Sequence, residues 1–419
     1  MRFIVLVPIT FFISFAGGHD LTPAVDFSSL EQSSSSANAS DTLYFITNDP
    51  QGNNVVALSI GTDGTLTNTH SISTGGVGVH GLGLAGADGT FSQGILQVHQ
   101  GRGLLATVNP ANHTAVLFSI DPFKPTHLTM LGKPVSTEGD FPNSVTFNDE
   151  GDQLCVLNTG TNNGIACFDV TKKGLKLQKD SVRKLGLQNQ TVPATGPFNS
   201  GSQIVFTQDQ KNVLVAVKGT MTDPGFFAAW PLTKKGELAE NYTRIATPAG
   251  AGLPFALQPI KGAHAFMAVD FAIGFDILDF SEGVEAVGRS SRTTAVNITG
   301  QMATCWSAYS PERNSYYAID SVGSIIHEVK FDHNLKASLV NNFTVPTSSG
   351  AIDSVVIDVG GEDLFYSLLA NTLQIGAWRL NSKPKATLAS IVDIANLTTS
   401  SVPLTPGQVQ GMAFYTSKI

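Results

Sequence analysis

Short apolar runs alternate with short polar breaks along most of the chain. One unit recurs: an apolar strand ending in a short polar residue, a loop, then a second apolar strand. Its copies are "LYFITND…NNVVALSI", "LLATVNPANHTAVLFSID", "QLCVLNTGTNNGIACFDV", "VLVAVKGTMTDPGFFAAWPL", "AFMAVDFAIGFDILDF", "YYAIDSVGSIIHEVKF" and "LFYSLLANTLQIGAWRL". The first strands end near Asn48, Asn109, Asn158, Lys218, Asp270, Asp320 and Ala370. The copies recur roughly every fifty to sixty residues, a spacing in the range of propeller blades. Every copy after the first is preceded by another strand, such as "SVTFND" or "SVVIDV", rich in β-branched residues. Each is followed by a weaker polar strand. Four strands in a meander make one blade, so the chain is expected to be all-β, a seven-bladed β-propeller over residues 41–419. The first unit lacks its leading strand, and "VQGMAFYTS" (Val409 to Ser417) resembles the missing one. The C-terminal strand is therefore expected to close the ring within the N-terminal blade, which removes exposed sheet edges.

A propeller gathers two sets of loops on one face, here called the top: those before each inner strand and those joining second and third strands. The mouth of the central channel opens there and is the usual place for a ligand. Ligand candidates at this mouth are Asn143, Gln203, Lys218, Asp270, Asp320 and Asp353. The catalytic candidates are His80, on the loop leading into blade 2, and Lys218, the cation best placed to hold an anion. A salt bridge from Lys218 to Asp270 or Asp223 is the competing reading. Asp140, Asp320 and Asp353 are equally suited to capping loops through backbone N–H groups.

The stretch "GVGVHG" (Gly76 to Gly81) matches the dinucleotide fingerprint as a string. The next residues, "LGLAGADGTFSQG", have too many glycines for the helix that fingerprint requires. The segment reads instead as a flexible lid or rim beside the mouth. "HE" at His327 and Glu328 lies in a strand, which points the two side chains to opposite faces. No His/Cys cluster suggests a metal, and no cofactor is expected.

Composition places this fold in a compartment. The segment "FIVLVPITFFISF" (Phe3 to Phe15) after Arg2, with small residues at Ser14 and Ala16, reads as a signal peptide over residues 1–16. It is too short to span a membrane comfortably, and no later stretch would. Residues 17–40 include the Ser-rich "SSLEQSSSSANAS" and are expected to be disordered. An extracellular or cell-wall location gives meaning to the sequons at Asn38, Asn112, Asn189, Asn241, Asn297, Asn342 and Asn396. It also permits a disulfide between Cys155 and Cys167 across a hairpin, with two buried thiols as the alternative. Cys305 is left over and reads as a small buried residue. A net charge of −8 without Lys/Arg runs argues against nucleic-acid partners.

The stretch "GDFPNSVTFNDEGDQLCVLNTG" resembles the blade signature of the seven-bladed lactonase family, which includes phosphogluconolactonases and fungal carboxymuconate cyclases. "GTFSQG", "LPFALQPI" and "TCWSAYSPERNSYYAID" carry the likeness further, from about Asp41 over most of the chain. It is nearest to secreted fungal glycoproteins of the cyclase-like group, some of them surface antigens. The resemblance implies opening or closing of a lactone ring on a small carboxylate, without metal, by an acid/base and cations. Asn143 stands where the cyclase branch carries His. Ser202 and Gln203 stand where Arg and His are expected, and Lys218 where Glu is expected. These residues leave two readings. One is a lactonase- or cyclase-like propeller acting on or binding a small organic acid or lactone. The other is a non-catalytic secreted glycoprotein with a cell-wall or host-surface partner. A sugar-binding propeller is disfavoured by the presence of only three tryptophans.

Overall fold

The computed structural model describes residues 41–83, 86–381, 385–398 and 402–417. The signal-peptide and Ser-rich segments, with Asn38, lie outside the described residues. Seven antiparallel sheets of four strands, two of them with a short fifth strand, form the blades of a β-propeller. Blade 1 joins the C-terminal strand Gln410–Tyr415 to Thr42–Ile46, Asn54–Ile60 and Leu66–Ser73. Thr42 pairs with Tyr415 and Ile46 with Gln410, so strands from opposite ends of the fold complete one sheet. Blades 2 to 7 are arranged in chain order. Their inner strands are Leu96–His99, Pro142–Phe147, Gly201–Phe206, Pro254–Pro259, Thr304–Ser310 and Ala351–Val359.

The middle strands are buried on both faces. Leu104–Asn109, Gln153–Asn158, Ala265–Asp270 and Ser315–Asp320 have no exposed residue. Their alternate side chains enter the seams between neighbouring blades, which is where the core lies. One apolar cluster spans blades 1 to 3, one blades 3 and 4, one blades 4 and 5, and one blades 5 to 7 and 1. Each seam removes apolar surface from water at about 25 cal/mol per Å², so each blade is stabilised mainly by its neighbours.

Cys155 and Cys167 are direct register partners on adjacent strands of blade 3 and are joined by a disulfide. The described sequon asparagines, Asn112, Asn189, Asn241, Asn297, Asn342 and Asn396, all keep solvent-accessible surface.

The polar residue ending each of several second strands is a structural device. Asp270 accepts from the N–H groups of Gly252, Leu253 and Ala272. Asp320 accepts from Met302, Ala303 and Gly323. Asn158 binds Thr137 through both its amide oxygen and its amide nitrogen. Each clamps the connection that enters its own blade.

Candidate functional site

The glycine-rich segment is a plug. It leaves blade 1 as a strap, makes a short parallel pair between Leu82–Gly83 and Thr195–Gly196, and then descends into the mouth of the channel. There it bonds to several blades. Thr90 Oγ1 donates to Gln410 Oε1 at 3.2 Å, and Gln410 Nε2 to Ala87 O at 2.9 Å, both from blade 1. From blade 3, Asn143 Nδ2 donates to Thr90 O at 3.1 Å, and Ser92 Oγ donates back to Asn143 O at 2.7 Å. Gln93 crosses to blade 6, where its Oε1 accepts from Ser307 N at 2.8 Å. Trp306 Nε1 donates to Ser92 O at 3.3 Å.

The fingerprint glycines serve this path. A Cβ at Gly76 would fall 2.4 Å from the Asn109 side chain, one at Gly78 2.1 Å from the Asn48 backbone, and one at Gly81 2.3 Å from the Phe91 ring. Close packing, not phosphate, requires them. The lid-or-rim expectation is corrected accordingly: the segment fills the mouth.

The plug divides the channel. Below it lies a second cavity of mixed lining, where Gln97, Gln258, Ser307 and Asp353 stand among apolar residues such as Leu96, Val356 and Met412. Above it, between the plug and blades 4 to 6, lies an apolar pocket of about 170 Å³. Phe91, Phe198, Phe255, Phe271 and Trp306 form its aromatic walls, and Asp88, Lys218 and Cys305 bring its chemistry.

Lys218 is 2% exposed. Its Nζ donates to Phe91 O at 2.7 Å and sits 4.7 Å from the centre of the Phe255 ring. Phe91 presents that carbonyl from a left-handed backbone, φ +57°, a conformation unusual for a bulky side chain and a mark of local strain. Burial draws the Lys218 amine well below the usual lysine range, against the opposing pull of the Asp88 charge. Asp88 is half-buried, and its Oδ1 accepts from Thr90 N, Phe91 N and Ser92 N. Among the described residues its Oδ2 makes no hydrogen bond. Burial pushes the Asp88 carboxyl up, with the Lys218 charge opposing. Burial also pushes the Cys305 thiol well up, and the Asp88 charge adds to this. Cys305 is therefore a protonated wall residue, not a nucleophile.

The six ligand candidates of the mouth lie in different surroundings. Only Lys218 faces the apolar pocket, and it pairs with neither Asp270 nor Asp223. Asn143 Nδ2 is engaged by Thr90 O and Gly201 O, which pins the plug to blades 3 and 4. Gln203 accepts from Leu257 N at 2.6 Å in the seam of blades 4 and 5. Asp270 and Asp320 are clamps that set the wall residues Leu253 and Ala303. Asp353 faces the lower cavity and accepts from Gly411 N at 2.8 Å; burial pushes its carboxyl up to about 8. His80 stays in the strap, its ring nitrogens 2.8 Å from Gly81 O and 3.3 Å from Gly86 O. It braces the loop and does not line the pocket. Asp88 is the residue that sequence reasoning missed.

No protein-family model matches the chain, and no curated protein sequence does. Solved structures share its fold. A provisionally named 6-phosphogluconolactonase from Bacteroides fragilis is 14% identical, with a TM-score of 0.63 over 90% of this chain and 99% of that one. Another from Bacteroides uniformis is also 14% identical, with a TM-score of 0.61 over 89% and 99%. A hypothetical selenium-binding protein from Sulfolobus tokodaii is 9% identical, with a TM-score of 0.54 over 90% and 92%. At such identities the likeness establishes the propeller fold and leaves the chemistry to the site.

Proposed function

We propose that this chain is a secreted, lactonase-like propeller that binds a small, mostly apolar organic acid or lactone, with Lys218 holding the ligand's oxygen. The observation that carries this reading is one buried amine in an aromatic-walled pocket of about 170 Å³. A dry apolar cavity of about 150 Å³ accommodates benzene, so the pocket suits a ligand of one ring. Lys218 Nζ has a single hydrogen-bond partner among the described residues, Phe91 O, and an ammonium has three donors. A carboxylate or lactone carbonyl would satisfy a second donor.

Binding is favoured over turnover by Asn143. It stands where the cyclase-like resemblance expects a proton-transferring His, and its amide nitrogen is committed to Thr90 O and Gly201 O. The secreted part of the reading is supported by the segment Phe3 to Phe15 and by the accessibility of the described sequon asparagines. A mobility shift on enzymatic deglycosylation of the native protein tests it.

Calorimetric titration with benzoate and with a single-ring lactone tests the ligand reading. Saturable binding is expected, weakened at least about tenfold in Lys218→Met, the equivalent of about 1.4 kcal/mol. Equal affinity in the folded variant would sink the assignment of Lys218. No binding of either compound would sink the reading itself.

A further inference from the structure

We infer that Lys218 is a carbonyl-capturing amine: in this pocket it condenses with a small apolar aldehyde or ketone to form an imine, with Asp88 carrying the proton. This rests on the pocket being a ligand site, and it adds covalent chemistry to it.

Two geometric observations support it, and the state of a third group agrees. The Nζ is held in a pocket wall by one hydrogen bond, to Phe91 O, and forms no ion pair among the described residues. An ammonium there would leave two donors unsatisfied in apolar surroundings, whereas a neutral amine leaves one N–H and a lone pair. Asp88 lines the same pocket. Its Oδ1 is fixed by the backbone N–H groups of Thr90, Phe91 and Ser92, which leaves Oδ2 as the free edge. The third acid/base group at the pocket, Cys305, is held as a thiol and does not compete for the carbonyl. The lowered proton affinity of Lys218 agrees with this arrangement, because desolvation is one way in which a lysine becomes a nucleophile near neutral pH.

The step balances without a further reagent. The step starts from Asp88 in its acid form and Lys218 in its amine form, both lining the pocket. The Nζ lone pair forms a bond to the carbonyl carbon, and the carbonyl π electrons move to oxygen, which takes the Asp88 proton. The added nitrogen returns a proton to the Asp88 carboxylate. Asp88 then protonates the hydroxyl, which leaves as water while the nitrogen lone pair closes the C=N bond. The resulting iminium loses its last proton to Asp88. The net change is amine plus carbonyl to imine plus water, and Asp88 ends as it began.

Benzaldehyde with sodium cyanoborohydride is the test. The hydride reduces the imine to a stable benzylamine, and peptide mass spectrometry locates it. In the wild-type protein near neutral pH, Lys218 is expected to be labelled at least about tenfold faster than the exposed Lys172, Lys173, Lys234 and Lys235, since each unit of lowered pKa gives up to tenfold more neutral amine. Excess benzoate is expected to slow labelling at Lys218 alone. Asp88→Asn keeps an oxygen for the same backbone donors and is expected to slow labelling of Lys218 several-fold without changing the surface rates. These internal references need no lysine variant to fold. Labelling of Lys218 no faster than the surface lysines overturns the inference. If benzoate still binds calorimetrically in that case, the ligand reading survives and only the covalent step fails. If benzoate and the lactone also fail to bind, both fall together.

Discussion

Lys218 occupies the repeat position at which blades 1, 2, 3, 5 and 6 place Asn48, Asn109, Asn158, Asp270 and Asp320. Asn158, Asp270 and Asp320 clamp the connections into their own blades. Lys218 reaches instead to the plug and lines the pocket, so one repeat has exchanged a clamp for a chemical group. That exchange was legible in the sequence as a lone cation among short polar residues. Asp88 was not legible, because it sits in an irregular, glycine-rich stretch with no period, and only long-range packing brings it to Lys218. A second buried group sets a stability prediction. Asp276 is fully buried in the third strand of blade 5, with no partner for either oxygen among the described residues. Burial, and then the Asp270 charge, push its carboxyl up to about 9. The folded state therefore keeps a proton that the unfolded chain releases near its ordinary range. Its contribution is fully present below about pH 4 and is lost as pH rises toward about 9. Asp276→Asn is expected to remove that loss and to raise stability at pH 8 by on the order of 1–3 kcal/mol, with little gain at pH 4. Urea unfolding at the two pH values checks this, and an equal effect at both would contradict it.

The plug is the element that decides the site. A propeller mouth alone would be open and polar. This one is filled by residues 86–93, and what remains is an apolar pocket against blades 4 to 6. Its path depends on Gly78 and Gly81, where added methyl groups would meet the Asn48 backbone and the Phe91 ring. Gly81→Ala is expected to displace Phe91, to cost roughly 1–3 kcal/mol as an overpacked site does, and to weaken benzoate binding while leaving the β-rich circular dichroism intact. An unchanged Tm and affinity would show that Phe91 is not locked. The same glycines made the segment look like a cofactor loop and then like a rim. Sequence reasoning dismissed the cofactor because the fingerprint opens no helix. It could not see the insertion, since the contacts of Gly81 with Phe91 and of Gln93 with Ser307 obey no local period.

At the scale of the whole molecule the repeat was readable, because each blade is the same four-strand solution to burying both faces of a sheet. The ring closure was readable for the same reason: blade 1 was one strand short and the segment around Gln410 had the missing pattern. Removing Gln410–Tyr415 is expected to expose the edge of Thr42–Ile46, to free Thr90 and Ala87 of the plug from Gln410, and to give an aggregating chain in size-exclusion chromatography. A monodisperse, β-rich product would contradict that role for the closing strand. The ligand class was the least legible property, since the mouth residues that the repeat brings to one face are mostly clamps and seam contacts. The most direct measurement is a crystal structure of the protein with benzoate. The account predicts the ring between Phe91, Phe255 and Trp306 with its carboxylate hydrogen-bonded to Lys218 Nζ. Benzoate seated only in the lower cavity beside Asp353, or absent from the upper pocket at saturating concentration, would contradict it.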